Sequence, residues 1–296
     1  MLAQTQAHIK DKDEVKSMSK PKPDPAWQAQ EAAIKVNLAH IKNKFLVMSG
    51  KGGVGKSTVA VNLAKGLANR GFQVGLLDVD LHGPSIPNML GLKGLAKASQ
   101  EAIIPMEVGQ NLKVISIEVL MPEKDQAVIW RGPLKIGVIK QFIADVAWSD
   151  LDFLVVDSPP GTGDEPLTVA QTIPEAKAIL VTTPQEVSLA DVRKSINFCR
   201  QVGMAILGVI ENMSGLICPH CGGFIDLFHS GGGQRLAEAN HLEFLGSIPL
   251  DPRVVQSSDG GQALMDAAPA DSPALLAYQE IIDRVLSLTG QTGPKA

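Results

Sequence analysis

From Lys44 onward the apolar residues fall into short continuous runs, separated by longer segments in which they recur every three or four positions. The continuous runs are rich in Val, Ile and Leu, which is typical of strands buried on both faces of a sheet. These runs are KFLVMS, QVGLLDVD, LKVISI, DFLVVDS, KAILVTT, AILGVIEN and EFLGSIP. The alternation predicts an α/β fold, a mostly parallel twisted sheet with helices on both faces.

The segments between the runs predict the helices, and a change in composition predicts the domain boundaries. Helical periodicity marks residues 58–69, 132–146, 187–202 and 272–288. Residues 1–43 are rich in Lys, Asp, Ser and Pro, and we expect a flexible tail with a short helix at residues 31–40. The sequence therefore predicts one domain over residues 44–290, followed by a polar tail at residues 291–296.

Composition and charge narrow the classes of partner. The chain has 296 residues, of which 45% are hydrophobic, enough for a substantial core. A net charge of -4 gives no electrostatic reason to expect nucleic acid or an anionic membrane as a partner. The apolar runs are shorter than the roughly 20 residues that span a bilayer. Three cysteines and no recognisable leader predict a cytoplasmic protein.

The segment GKGGVGKS at residues 50–57 lies between the first strand-like run and the first predicted helix and matches the phosphate-loop pattern G-x-x-x-x-G-K-[ST]. Its glycines allow backbone N–H groups to turn toward phosphate oxygens, and the helix adds its positive end. Lys56 is expected to reach the terminal phosphates, and the Ser57 hydroxyl to ligate Mg²⁺. The predicted nucleotide-binding residues are Gly50, Lys51, Gly52, Gly53, Val54, Gly55, Lys56, Ser57 and Thr58. The chain has no N-K-x-D motif, which favours ATP over GTP.

Carboxylates follow two of the strand-like runs. Asp78 and Asp80 end the second run, and side chains two residues apart point the same way, so they can order water and hold hydrated metal. For Asp78, a role in capping the strand is the alternative. Asp157 ends another run, a typical position for binding a Mg²⁺-coordinated water. The proline- and glycine-rich turn at residues 159–163 is a candidate sensor of the γ-phosphate.

Cys218 and Cys221 form a C-x-x-C motif, whose spacing lets two thiolates face one metal ion or cluster. No second pair at zinc-knuckle spacing is present, so one chain does not complete a four-thiolate site. Three interpretations remain: a redox disulfide, an inert turn, or a site shared by two copies that holds a [4Fe-4S] cluster or Zn²⁺. Cys199 shares a helical face with apolar residues and is predicted to be buried.

The loop GKGGVGKS resembles the deviant Walker A loop of the MinD/ParA/nitrogenase iron-protein class of P-loop NTPases. The resemblance implies that Lys51 crosses a homodimer interface to the partner's nucleotide, so that two subunits enclose two ATP molecules. It also implies that Asp80 positions the attacking water, and that adenine lies near Asn212 and residues 248–254.

The same loop, together with DVDLHGPS, RGP, DSPPGTGDEP, ENMSG and the C-x-x-C, resembles the Mrp/ApbC family of iron-sulfur cluster carrier ATPases. The resemblance implies an ATPase whose homodimer binds a [4Fe-4S] cluster through Cys218 and Cys221 and passes it to apo-proteins. It assigns catalysis to Lys51, Asp80 and Asp157, with ATP and Mg²⁺ as cofactors.

Three other functions stay open. A positioning ATPase of the MinD/ParA kind calls for a basic surface or a basic amphipathic last helix, but SPALLAYQEIIDRVLSL has almost no positive charge. A reductase like the nitrogenase iron protein takes its ligands from two well-separated cysteines rather than an adjacent pair. A zinc-stapled regulatory ATPase is the third.

Overall fold

The computed structural model describes residues 25–81, 83–99, 102–120, 132–218 and 220–291. Three predicted features fall outside the described residues: residues 1–24 of the tail predicted at 1–43, residues 292–296 of the C-terminal tail, and Arg131 of the RGP motif.

Strands and helices alternate along most of the chain. The strands are β1 Ile41–Ser49, β2 Val74–Asp78, β3 Lys97–Ala98, β4 Ile103–Ile104, β5 Met106–Val108, β6 Leu112–Ile115, β7 Leu151–Asp157, β8 Lys177–Thr182, β9 Ala205–Ile217, β10 Phe224–Ile225 and β11 Phe244–Leu250. The helices are α1 Pro25–Ala39, α2 Lys56–Asn69, α3 Ile86–Met89, α4 Gly132–Ala144, α5 Asp164–Thr172, α6 Glu186–Val202, α7 Gly232–Ala239, α8 Pro252–Asp259, α9 Leu264–Ala267 and α10 Pro273–Leu288. Each of the seven runs quoted above overlaps one observed strand.

Across the described ranges the main sheet has nine strands, in the order β10-β9-β8-β1-β7-β2-β6-β5, with β11 also paired to β9. The central pairs are parallel, including β1 with β7 and β8, and β2 with β6 and β7. Antiparallel pairing occurs where β5 meets β6 and where β10 meets β9. The predicted mostly parallel sheet is confirmed, and its carboxyl-end edge carries the loops after β1, β2 and β7.

Both faces of the sheet are covered, which explains the continuous apolar runs. In β1, Leu46 and Met48 belong to the core under α1, α4, α5, α6 and α7, whereas Phe45 and Val47 belong to the core under α2, α9 and α10. Successive strand residues point to opposite faces, so the middle of a strand covered on both faces is apolar at consecutive positions, as at residues 45–48 of β1. Among the described helices, none combines the length and apolarity needed to cross a bilayer.

Helix α1 differs from the short helix predicted at residues 31–40, because it begins at Pro25. It packs against α4 through Ile34, which is its one buried residue in the described structure. The Asn37 side-chain amide donates to the carbonyls of Ile143 and Ala144, and Lys140 pairs with Glu31 at 2.7 Å. Polar contacts to α4 therefore fix a helix whose sequence has little apolar periodicity.

Replacement of Phe153 tests the core beneath α2. Its ring is fully buried in β7 and lies 5.7 Å from the Phe45 ring and 5.3 Å from the Phe72 ring, centroid to centroid. We expect Phe153→Ala to lower the free energy of unfolding by about 3–5 kcal/mol, because it removes apolar contacts and leaves a cavity. Urea denaturation measures this change. The control Phe224→Ala removes a ring that is 58% exposed and should cost about 1 kcal/mol or less; equal losses would contradict this account of the core.

Candidate functional site

The phosphate loop joins β1 to α2, and its glycines satisfy two kinds of constraint. Gly53 and Gly55 both have φ of 80°, in the left-handed region that side chains disfavour. Gly50 lies against α6: a Cβ there would stand 2.2 Å from the carbonyl carbon of Asp191. A Cβ on Gly55 would likewise stand 2.2 Å from Nδ2 of Asn212. Backbone geometry and close packing thus demand glycine at three of the predicted positions.

Lys56 forms a buried ion pair with Asp157. Its Nζ lies 2.6 Å from Oδ1 of Asp157 and 3.1 Å from Oγ of Ser57. Both charged side chains are almost completely buried, Lys56 at the start of α2 and Asp157 at the end of β7. Oδ2 of Asp157 is buried without a hydrogen-bond partner among the described residues. The predicted nucleotide lysine and the predicted Walker B carboxylate are therefore in direct contact.

Asp78 lies behind this pair. Its carboxylate accepts hydrogen bonds from the Asp80 backbone N–H at 3.0 Å and from the Ser116 hydroxyl at 3.1 Å. Burial raises the pKa of Asp78 well above its ordinary value, and the nearby charge of Asp157 raises it further. Burial also raises the pKa of Asp157, although Lys56 opposes that shift. Asp78 is thus a buried carboxylate held by the backbone that follows β2 and by Ser116.

An open cleft of about 330 Å³ lies over the phosphate loop. It is lined by Ser49, Lys51, Gly52, Gly53, Val54, Gly55, Lys56, Ser57, Thr58, Asp80, Ser85, Met89 and Pro160. Asp80 therefore faces the same space as the loop, and its Oδ1 accepts from the Gly83 N–H at 3.3 Å. The turn after β7 is tied to β1, because Gly161 N–H donates to the Ser49 carbonyl at 2.8 Å. The cleft brings together the predicted phosphate, water-positioning and sensor groups.

Lys51 lines this cleft with a partly exposed side chain. Within the part of the chain that the structure describes, its ammonium has no ion-pair partner, in contrast to Lys56. The two lysines of the loop therefore have different environments, one buried and paired in its own chain, the other at the surface.

Asn212 lies under the phosphate loop. It is buried in β9, and its side-chain amide donates to the Val54 carbonyl at 2.8 Å. Residues 248–254, the other segment expected near adenine, form the end of β11 and the start of α8. They contribute to a separate cavity of about 440 Å³ lined by Leu250, Asp251 and Arg253 among others. Base recognition by Asn212 stays a prediction, while its support of the loop is an observed contact.

The two cysteines of the C-x-x-C motif lie at the turn between β9 and β10. The Cys218 N–H donates to the Gly223 carbonyl, and the Gly222 N–H donates to the Cys218 carbonyl, both at 2.9 Å. Cys221 is exposed and Cys218 partly so, while Cys199 is fully buried in the core as predicted. Among the described residues no group of three or more His, Cys, Asp and Glu side chains is placed to hold a metal ion.

The environments of the thiols set their acidity. The pKa of Cys218 lies below its ordinary value because the N–H of His220 donates to its sulfur, with further hydrogen bonds from the Cys221 N–H and thiol. Burial raises the pKa of Cys199 to about 11. Cys218 therefore ionises to a thiolate at a lower pH than Cys199.

Sequence reasoning missed Glu211, a completely buried carboxylate next to Asn212. Its oxygens accept hydrogen bonds from the Ser214 hydroxyl and from the N–H groups of Gly231 and Gly233. The signal was an acidic residue at the end of the apolar run AILGVIEN, where buried charge needs several partners.

The fold and the phosphate loop define a nucleotide-binding protein of the MinD/ParA class of P-loop NTPases. The ParA family model described as NUBPL iron-transfer P-loop NTPase matches residues 40–286, and the chain belongs to this family. The resemblance to iron-sulfur cluster carrier ATPases is thereby confirmed.

Individual relatives agree with the family assignment. The chain is 46% identical over 261 residues to the iron-sulfur cluster carrier protein of Methanocaldococcus jannaschii, covering 87% of this chain and 88% of that protein. It resembles a nucleotide-binding protein from Archaeoglobus fulgidus solved in complex with ADP and with cobalt: 41% identity, TM-score 0.71, 81% of this chain and 94% of that one. The Pyrococcus horikoshii septum site-determining protein MinD with Mg-ADP is 25% identical, with a TM-score of 0.62, over 84% of this chain and 97% of that one.

Alkylation tests the thiol environments. We expect iodoacetamide to modify Cys218 with a rate midpoint below the pH typical of a free cysteine, because its thiolate is stabilised by hydrogen bonds, and to leave Cys199 unmodified in the folded protein. Peptide mapping by mass spectrometry across a pH series measures both rates. Cys221→Ala removes a thiol that donates to Cys218, so it should move the Cys218 midpoint to higher pH; an unchanged midpoint would contradict the hydrogen-bond assignment.

Proposed function

We propose that this protein is an ATP-binding and ATP-hydrolysing carrier of iron-sulfur clusters. Two copies form a homodimer, bind one [4Fe-4S] cluster between their cysteine pairs as cargo, and transfer it to apo-proteins. Family membership supports the iron-transfer class. The observation that carries the finer proposal is the exposed cysteine pair on a turn of its own, with two thiols per chain and no third ligand nearby in the described structure.

The loop residues fit a triphosphate with Mg²⁺. Left-handed glycines turn the loop backbone, α2 begins at Lys56, and Lys51, Ser57 and Thr58 line the open cleft above. Ser57 is the candidate ligand of Mg²⁺, and the free Oδ2 of Asp157 is an acceptor for a water on that ion. Bound Mg²⁺ would neutralise charge on the phosphates. Asp80 is the candidate for orienting the attacking water.

Lys51 supports the dimer in this proposal. A cation at the mouth of the cleft, without a carboxylate partner among the described residues, is free to reach a second nucleotide. In that position it supplies the charge that an arginine finger supplies in other NTPases. Each nucleotide would then be held by Lys56 of its own chain and Lys51 of the other.

The surroundings of the cysteines also support the proposal that a second copy of the chain completes the cluster site. A four-thiolate cluster needs two more thiolates than one chain offers. Three apolar side chains on the same loop, Phe224, Ile225 and Leu227, are 58%, 42% and 48% exposed. Neighbouring apolar groups that face water mark a contact surface. A twofold axis beside the turn would cover these groups and bring four thiolates together.

Nucleotide assays on the two loop lysines test the proposed ATPase. We expect Lys56→Ala to abolish binding of a fluorescent ATP analogue, because it removes the phosphate counter-charge held inside the chain. Lys51→Ala should bind the analogue within about threefold of wild type and lose at least about 1,000-fold in hydrolysis, the scale of an arginine finger. Lys97→Ala, at an exposed position of β3 that does not line the cleft, is the control. ATP turnover by Lys51→Ala at the wild-type rate would refute the cross-subunit role.

Anaerobic reconstitution with iron and sulfide tests the cargo. Wild-type protein should gain visible absorption from thiolate-bound iron, with four irons per dimer by metal analysis and native mass measurement. Cys218→Ala and Cys221→Ala should each lose it, whereas Cys199→Ala should retain it, because Cys199 is buried in the core. A wild-type protein that binds only Zn²⁺ at these thiols would replace the carrier proposal with the zinc-stapled ATPase.

A further inference from the structure

The segment between the cysteines and α7 is held mainly at its ends. Residues 221–230 are exposed except for a half-buried Phe228, so packing does little to fix them. At the entry, β10 pairs with the end of β9 through Phe224 with Ile217 and Ile225 with Leu216. At the exit stands the sequence SGGG, residues 230–233, which leads into α7. We call residues 218–231 the cysteine loop.

The exit of the cysteine loop is fastened to β9 by Glu211. Oε1 of Glu211 accepts from the Gly231 N–H at 2.8 Å, and Oε2 accepts from the Gly233 N–H. The Ser214 hydroxyl donates to Oε1, so both oxygens are engaged. Because the Glu211 side chain is completely buried, these bonds are shielded from water. Strand β9, which ends next to Cys218, therefore also holds the far end of the cysteine loop through Glu211.

The backbone and packing at Gly231 and Gly233 suit the contact with the Glu211 carboxylate. Gly231 has φ of 84°, which turns its N–H toward the carboxylate without strain. A Cβ on Gly233 would stand 3.0 Å from Cβ and 3.2 Å from Oε2 of Glu211, so a side chain would press on the carboxylate. The N–H groups at the start of α7 have no carbonyl partner within the helix, so they favour a negatively charged group nearby. A glycine-rich helix start of this kind can take a phosphate, but here Glu211 already fills that place.

We propose that Glu211 is a positioning residue for the metal-binding cysteines: it closes the base of the cysteine loop and so holds Cys218 and Cys221 in place. The inference rests on the proposed function, since it assumes that the cysteines bind metal. Closing a loop at its base removes conformational entropy that the metal would otherwise have to overcome. Supporting residues of this kind typically change metal affinity by about 10–100-fold.

Titration with Co²⁺ under anaerobic, reducing conditions tests the role of Glu211 in the full-length chain. Thiolate-to-Co²⁺ charge-transfer absorption reports binding at the cysteines, with the Cys218→Ala/Cys221→Ala double variant as the blank. We expect Glu211→Gln to raise the Co²⁺ dissociation constant by about tenfold or more. Binding of a fluorescent ADP analogue should stay within about twofold of wild type, because the phosphate loop is left intact.

Two further variants make the test specific. Glu238→Gln removes an exposed carboxylate on α7, hydrogen-bonded to Gln234 within the described residues, and should keep wild-type Co²⁺ affinity. Gly233→Ala presses on the carboxylate without removing it and should weaken Co²⁺ binding as Glu211→Gln does.

The outcomes separate this inference from the proposed function. No charge-transfer band in wild type would refute the metal-binding cysteines themselves. A wild-type band with unchanged affinity in Glu211→Gln would overturn the positioning role and leave the carrier proposal standing. Parallel loss of Co²⁺ and nucleotide affinity in both Glu211→Gln and Gly233→Ala would show a merely structural carboxylate, and would also overturn it.

Discussion

The buried ion pair between Lys56 and Asp157 is the interaction around which the site is built. A buried charge is unstable without an opposite charge beside it, and Lys56 and Asp157 supply this for each other, which holds the first turn of α2 against the end of β7. That contact helps to hold the phosphate loop at the carboxyl ends of β1, β2 and β7. In the proposed function a triphosphate takes Lys56 as its partner, which leaves the Asp157 carboxylate for hydrated Mg²⁺.

Much of the fold follows from local sequence, for an identifiable reason. The middle of a strand covered on both faces is apolar at consecutive positions, so β1, β7 and β8 each contain a continuous run: FLVM, FLVV and AILV. The phosphate loop can also be predicted from the sequence, because its left-handed backbone at Gly53 and Gly55 requires glycine at those positions. The carboxylates at strand ends follow from parallel topology, which gathers those ends on one edge. Cys199 was predicted to be buried from the apolar face that it shares on α6.

Contacts between residues distant in sequence account for what was missed. The packing of α1 against α4 depends on hydrogen bonds from Asn37, near the end of α1, and the sequence periodicity of α1 does not predict them. The contact of Asn212 with Val54, across 158 positions of chain, is invisible until the sheet order is known. In the sequence, Glu211 is an isolated acidic residue at the end of an apolar run. Its hydrogen-bond partners, Gly231 and Gly233, cannot be identified until the packing of α7 against β9 is known.

Glu211 and Asn212 are neighbours on one strand and face opposite sides of the sheet, one toward the glycines before α7, the other toward the phosphate loop. Deleting or inserting a single residue upstream in β9 would exchange the two orientations. After an insertion, the Glu211 carboxylate would meet the Val54 carbonyl and Ile210 would face the N–H donors before α7. After a deletion, the Asn212 amide would face those donors and Met213 would lie under the phosphate loop. We therefore expect evolution to vary the composition of this strand more freely than its length.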